Sequence, residues 1–223
     1  MRKAYSSLSR RNDNRNFMSR FVKFVLFLAA LLPLARLVWL GFHGGLGANP
    51  IEFITHSTGD WTLIFLLVTL SITPLRRLSR QYWLISYRRM LGLFAFFYGC
   101  LHLMTYVWLD KFFDAHEMLH DIAKRKFITA GMTAFTLMIP LALTSTKWSI
   151  RKLGKRWQTL HRLIYLSAAA GVIHYLWLVK ADLKKPLEYA FVLGTLLLYR
   201  VVVWFIARTR VDRESRTAVP TAG

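Results

Sequence analysis

The feature that most constrains this chain is a spacing: apolar blocks about as long as a bilayer is thick, separated by short polar loops. Six such blocks run from about 21 to 42, 59 to 75, 90 to 109, 127 to 144, 161 to 179 and 187 to 206. A helix rising 1.5 Å per residue needs about 20 apolar residues to cross ~30 Å of hydrocarbon, and each block comes near that length, the second being the shortest. Hydrocarbon offers the backbone no hydrogen-bond partners, so spanning blocks of this kind must be helical or close into a barrel. Their length excludes barrel strands, which need only about 10 residues. The expectation is an all-α membrane protein of six transmembrane helices in one bundle.

A formal net charge of +20 would also suit a nucleic-acid binder, but its distribution argues otherwise. Basic residues crowd the N-terminal segment from Arg2 to Lys23, the loop Arg76 to Arg89, the loop Lys147 to Arg162 and the tail from Arg208. The segment between Gly41 and Gly59 has no Lys or Arg, and the two remaining loops dilute theirs with Asp110, Asp114, Glu117, Asp121 and Asp182. This alternation is the positive-inside pattern, and it places both termini in the cytoplasm. The charge therefore reports topology and contact with membrane lipid rather than nucleic acid. Residues 1–20 read as a basic cytoplasmic segment, 21–206 as the transmembrane domain and 207–223 as a short basic cytoplasmic tail. The first block is long and lacks a small-residue cleavage site, so it reads as an uncleaved helix. Only 17 residues follow Ile206, too few for a soluble catalytic domain within this sequence. No internal repeat with a period of 20 to 50 residues is visible.

Cys100 is the single cysteine, which excludes an internal disulfide and a cysteine-held zinc or iron–sulfur centre. Histidine is the remaining metal ligand of interest. His43, His56, His116 and His120 fall in or beside outer loops, where water solvates an imidazole at little cost. His102, in "YGCLHLMTY", and His174, in "GVIHYLW", lie several residues inside apolar blocks. A polar group there is unfavourable unless partnered, so each marks a functional position or an interhelical hydrogen bond. Counted from Arg88 and from His161 at 1.5 Å per residue, the two lie about 21 Å and about 20 Å along helices running the same way. Two imidazoles at one height suit axial ligation of a haem iron from both faces, whereas zinc would want three or four protein ligands.

His161 is a candidate ligand for a second, inner haem, but 13 residues of helix place it about 140° from the face of His174. Arg88 stands 14 residues before His102, on the same face, and stays protonated; it suits haem propionates or lipid phosphate better than iron. The glycine-rich "HGGLGANP", 43–50, lacks the flanking strand of a phosphate cradle and reads as a tight loop. Glu52, His56 and Asp60 beside it read as a solvated rim or as groups that exchange protons or touch a partner.

With "HGGLGANP", "HSTG", "ITPLRR", "RRMLGLFAF", "LHLMTY", "LALTSTKWSIRKLGKRWQTLHRLIYL" and "IHYLW" in this order, the chain from Leu31 onward resembles the haem-binding membrane subunits, the MsrQ type, of the ferric reductase-like transmembrane family. The resemblance implies b-type haem on His102 and His174, with His161 and Arg88 near a second haem region. It also implies FMN as a cofactor and electrons taken from the quinone pool or a cytoplasmic flavin reductase. The implied acceptor is a periplasmic molybdenum-cofactor methionine sulfoxide reductase, MsrP, and the implied location is the bacterial inner membrane. The chain would then be an electron-transfer subunit rather than the sulfoxide-reducing one. Relatives of the oxidase type carry a histidine on helix three at both haem levels; here Arg88 stands at the inner one. Two other readings remain open on the residues themselves: a ferric reductase or oxidase fed by a separate flavoprotein, and a proton-coupled transporter with buried histidines.

Overall fold

In the computed structural model the described residues are 2–179 and 181–217, with side chains described over 20–179 and 181–209. Every regular element among them is helical. Five helices are long and apolar enough to cross a membrane. They are α1 (Arg2–Phe42, of which Arg20–Phe42 qualifies), α2 (Pro50–Ser79), α3 (Ile85–Met104, with its flanking turns), α5 (Lys126–Leu143) and α9 (Lys184–Thr217, of which Lys184–Thr209 qualifies). The connecting elements are α4 (Ala115–Lys124), α6 (Lys147–Leu153) and α7 (Lys155–Leu160). α8 (Leu163–Leu178) is apolar but for Ser167, His174 and its tyrosine hydroxyls, and is only 16 residues long. The span expected over 161–179 is shorter because the chain turns at His161 and Arg162 before α8 begins.

The second block, shortest in the sequence, belongs to a helix of 30 residues. Its first two turns carry Glu52, His56 and Ser57, which hide it from a hydropathy count, yet its start is well specified. Asn49 accepts the N–H of Glu52 at 3.3 Å and donates back to the Glu52 carboxylate at 2.9 Å, with Pro50 in the first turn. The loop before it turns through Gly44 and Gly47 at φ of 66° and 80°, so "HGGLGANP" is a tight loop leading into a cap.

The helices pair off: α2 packs most extensively on α3, and α5 on α8. Leu66, Leu70, Ala95, Tyr98 and Ala168 are buried between them. Large apolar side chains such as Phe24, Leu32, Leu198 and Trp204 stay on the outside of α1 and α9, as suits a chain whose solvent is hydrocarbon. Two polar contacts attach these outer helices. The Tyr98 hydroxyl donates to the carbonyl of Ala30 at 2.8 Å and accepts the N–H of Leu34 at 3.2 Å, entering the ladder of α1 beside Pro33. Pro74 has no N–H to give the carbonyl of Leu70 four residues back; Arg200 of α9 fills the vacancy at 2.7 Å and also donates to the Tyr165 hydroxyl at 2.8 Å.

At its C-terminal end α3 runs into a π-helical turn, Thr105–Asp110, and α4 follows across that end of the bundle. There Lys111, only 7% exposed, meets Asp121 at 2.9 Å and Glu117, while Arg125 meets Asp121 at 3.0 Å. The hydrogen bonds that Lys111 donates to Glu117 and then Asp121 hold its ammonium above its usual range. The hydrogen bond from Lys111, joined by the charge of Arg125, holds Asp121 below the usual carboxylate range.

Candidate functional site

α3 and α8 bring His102 and His174 together, with ring centroids 6.0 Å apart and planes inclined at 74°. Each ring is held by the helix next to its own. Nδ1 of His102 lies 3.0 Å from the carbonyl oxygen of Thr55 on α2, and Nδ1 of His174 lies 2.6 Å from that of Phe127 on α5. A carbonyl only accepts, so both Nδ1 atoms carry the proton and both Nε2 atoms keep their lone pair. This is the arrangement of a metal-ligating imidazole oriented by a backbone acceptor.

The acceptor for His102 is reinforced by a closed ring of contacts. The Thr55 hydroxyl donates to the Thr105 hydroxyl at 3.0 Å, and Thr105 donates to the carbonyl of His102 at 2.7 Å. Thr105 begins the π-helical turn, a local widening often found beside functional residues.

The imidazoles line a cavity of about 540 Å³ that extends from Asn49 and Glu52 at its rim, past Thr62 and Phe135, to Leu66 and Met138. Among the described residues no group of three His, Cys, Asp or Glu side chains could hold a metal ion, so a bare ion here would find only the two imidazoles. A haem brings four nitrogens of its own and asks the protein for one or two. Two bonds of about 2 Å to one metal, with each ring centre roughly 1 Å behind its nitrogen, span about 6 Å, and the centroids stand at that distance. The two-imidazole donor set, the pinned tautomers and the cavity all fit a haem.

The other histidines are placed differently. His161 caps α7, stacks on Trp157 at 3.8 Å and directs Nδ1 to the Trp157 carbonyl at 3.1 Å. Its Nε2 is buried without a partner, and Arg88 stands close enough for its charge to act on it. Three more buried unpartnered polar atoms belong to this inner end: Thr73 Oγ1, Arg76 Nε and Arg200 Nε. His43, His56, His116 and His120 are exposed; His56 faces Glu52 at 3.8 Å on the cavity rim, and Asp60 lines the same cavity. Cys100 is half-buried and does not line the cavity.

Sequence reasoning found both central histidines and missed what holds them. The orienting groups at Thr55 and Phe127 are main-chain carbonyls, which no residue type advertises. The ion cluster around Lys111 was equally hidden, although its residues were visible as charges in one outer loop.

The family model described as ferric reductase like transmembrane component matches residues 55–172. A relative from Herminiimonas arsenicoxydans is 58% identical over 183 residues, 81% of this chain and 84% of its own. One from Bordetella pertussis is 54% identical over 189 residues, covering 84% and 92%, and one from Azospira oryzae is 56% identical, covering 81% and 78%. All three are described as the heme-binding subunit MsrQ of protein-methionine-sulfoxide reductase. No solved structure matches the chain.

Proposed function

The chain belongs to the ferric reductase-like transmembrane family and, within it, to the MsrQ haem-binding subunits, and on that premise we propose that it is a b-type cytochrome of the bacterial inner membrane. It passes electrons to a periplasmic molybdenum-cofactor methionine sulfoxide reductase of the MsrP type. The observation that carries the reading is the pair His102 and His174, each presenting an unprotonated Nε2 to one shared cavity.

Haem b supplies a one-electron couple when bound. The chain's residues do the rest. His102 and His174 would hold the haem iron through their Nε2 atoms. Thr55 and Phe127 fix the ring tautomers, and the apolar wall of Leu63, Leu66, Phe135 and Met138 keeps the site dry. The same pinning disfavours a proton relay, because a backbone carbonyl cannot take up the proton of Nδ1.

In this reading α8 is a sixth crossing, both termini are cytoplasmic, and residues 21–206 form the membrane domain between the 1–20 segment and the 207–223 tail. The charge distribution supports it. Glu52, Asp60, Asp110, Asp114, Glu117, Asp121, Asp182 and Glu188 all fall toward one end of the bundle, while Arg76, Arg77, Arg88, Arg89 and Arg156 fall toward the other. His161, whose Nε2 lacks a partner, with Arg88 at hand for propionates, is the candidate for holding a second haem at the inner end. Electrons enter from the quinone pool or a flavin reductase, with FMN as a further cofactor; the family resemblance supports these three assignments.

A reduced-minus-oxidised optical spectrum of the purified protein tests the proposal. The α and Soret bands of a low-spin b-type haem are expected, bleaching when the oxidised sulfoxide reductase is added. A protein made in haem-replete cells that shows no such bands would contradict it.

A further inference from the structure

The two halves of the site repeat one another at four positions. Nδ1 of each histidine reaches a carbonyl 47 positions earlier in the chain, Thr55 for His102 and Phe127 for His174. One helical turn beyond each carbonyl stands a glycine, Gly59 on α2 and Gly131 on α5. One turn before each histidine stands another, Gly99 on α3 and Gly171 on α8. Thr55 with Phe127, Gly59 with Gly131, Gly99 with Gly171, and His102 with His174 are all 72 residues apart. The paired helices, α2 with α3 and α5 with α8, are also the two most extensive packings in the fold.

Gly59 and Gly131 do the same physical work. A Cβ on Gly131 would lie 2.8 Å from Nδ1, 3.0 Å from Cε1 and 3.2 Å from Cγ of His174. A Cβ on Gly59 would lie 3.1 Å from Cε1 and 3.2 Å from Nδ1 of His102. The first contact is closer than real Cβ atoms approach, and the second requires the ring to give way by a few tenths of an ångström. Glycine is also the poorest helix former after proline, so its presence in mid-helix at both equivalent places calls for a packing reason.

We propose that α2–α3 and α5–α8 are two copies of one helix pair, and that Gly59 and Gly131 are its positioning residues, each leaving the niche in which the neighbouring helix's imidazole seats. The missing side chain lets the ring lie against the helix, so that Nδ1 meets the carbonyl one turn back and Nε2 is turned to the shared centre. The inference rests on the haem reading for what sits at that centre, while the repeat and the niches stand on distances alone.

Alanine substitutions in the full-length protein, purified with haem, test it by electron paramagnetic resonance and redox titration. Gly131→Ala is expected to lose most of the low-spin outer-haem signal and gain a high-spin one. Gly59→Ala is expected to keep more of that signal with a shifted midpoint potential. Gly92→Ala, whose Cβ would meet only Thr69 at 3.6 Å on α2, should match the wild type and so controls for alanine in these helices. On a His174→Ala background, Gly131→Ala should change nothing further, because the ring it displaces is gone. Wild-type signal and potential in Gly131→Ala, or a further loss on that background, would overturn the proposal. If Gly131→Ala does not accumulate, Gly59→Ala decides, and an unchanged signal and potential there overturns it. An unchanged spectrum in His174→Ala itself would instead defeat the haem reading.

Discussion

The outer and inner levels of the bundle each hold half-buried imidazole, two rings at the first and one at the second, with Nδ1 on a carbonyl, yet they differ in who supplies the carbonyl. At the outer level a neighbouring helix does so, for both His102 and His174, and two Nε2 atoms share one cavity. At the inner level His161 bonds back to Trp157 within its own turn and stacks on that indole, and its Nε2 has no protein partner. A ring tied to another helix has its direction set by the packing of the whole bundle. A ring tied to its own turn moves with that turn. The comparison teaches that burial alone does not make a ligand pair; orientation by a second element does.

The largest effect should follow from breaking the outer level. His102→Ala or His174→Ala is expected to drop electron delivery to the sulfoxide reductase to background while the protein still inserts, since hydropathy hardly changes. Reductase turnover driven by reduced membranes measures this. Delivery above a tenth of the wild-type rate in both variants would erase the distinction between the levels.

A smaller effect is expected at the inner level. His161→Ala should remove at most the inner haem component, leaving the outer low-spin signal in place. Haem-to-protein ratio with redox titration resolves the two components. Loss of all haem from a folded His161→Ala would reverse the ranking of the sites.

The comparison sharpens further at Thr105, whose hydroxyl closes the ring with Thr55 and His102. Thr105→Val keeps shape and removes that link, so haem affinity at the outer level should fall by about 10-fold. Competition against apomyoglobin gives the ratio. An unchanged affinity would show that the Thr55 carbonyl alone suffices.

The smallest effect concerns the ion cluster over the outer end. Asp121 is held below its ordinary value, so its contribution is present above about pH 4, the unfolded carboxylate value, and is lost as pH falls through the lower folded value. Lys111 is held above its ordinary value, so its contribution is complete below about pH 10 and is lost only as pH rises through the higher folded value. Thermal stability should therefore carry no titration from this cluster between about pH 5 and 9. Asp121→Asn should lower stability by about 2 kcal/mol across that range, because buried Lys111 would keep Glu117 but lose the buried carboxylate of Asp121. Melting curves at several pH values check both statements, and a melting point in Asp121→Asn equal to the wild type would contradict the second.

Much of this was legible in the residues. The apolar blocks announced the spanning helices because hydrocarbon tolerates few other structures, and His102 and His174 stood out because an imidazole among apolar side chains needs a reason. The helix ends were less legible: the polar first turns of α2 carry no hydropathy signal, and the turn at His161 that shortens α8 arises from packing around Trp157. The repeat was hidden because its shared residues, two glycines and a histidine, are scattered between Thr55 and His102 and again between Phe127 and His174, with the acceptors on the main chain. His161 and Arg88 were identified as inner candidates, but the orphaned atoms around them emerge only when α2, α8 and α9 are assembled.

The central claim is that one iron is clamped between His102 and His174. Low-temperature electron paramagnetic resonance of the oxidised wild type and of both single alanine variants addresses it most directly. The account predicts a low-spin ferric signal in the wild type that is lost or converted to high spin in each variant. A low-spin outer signal that survives in both variants would contradict it.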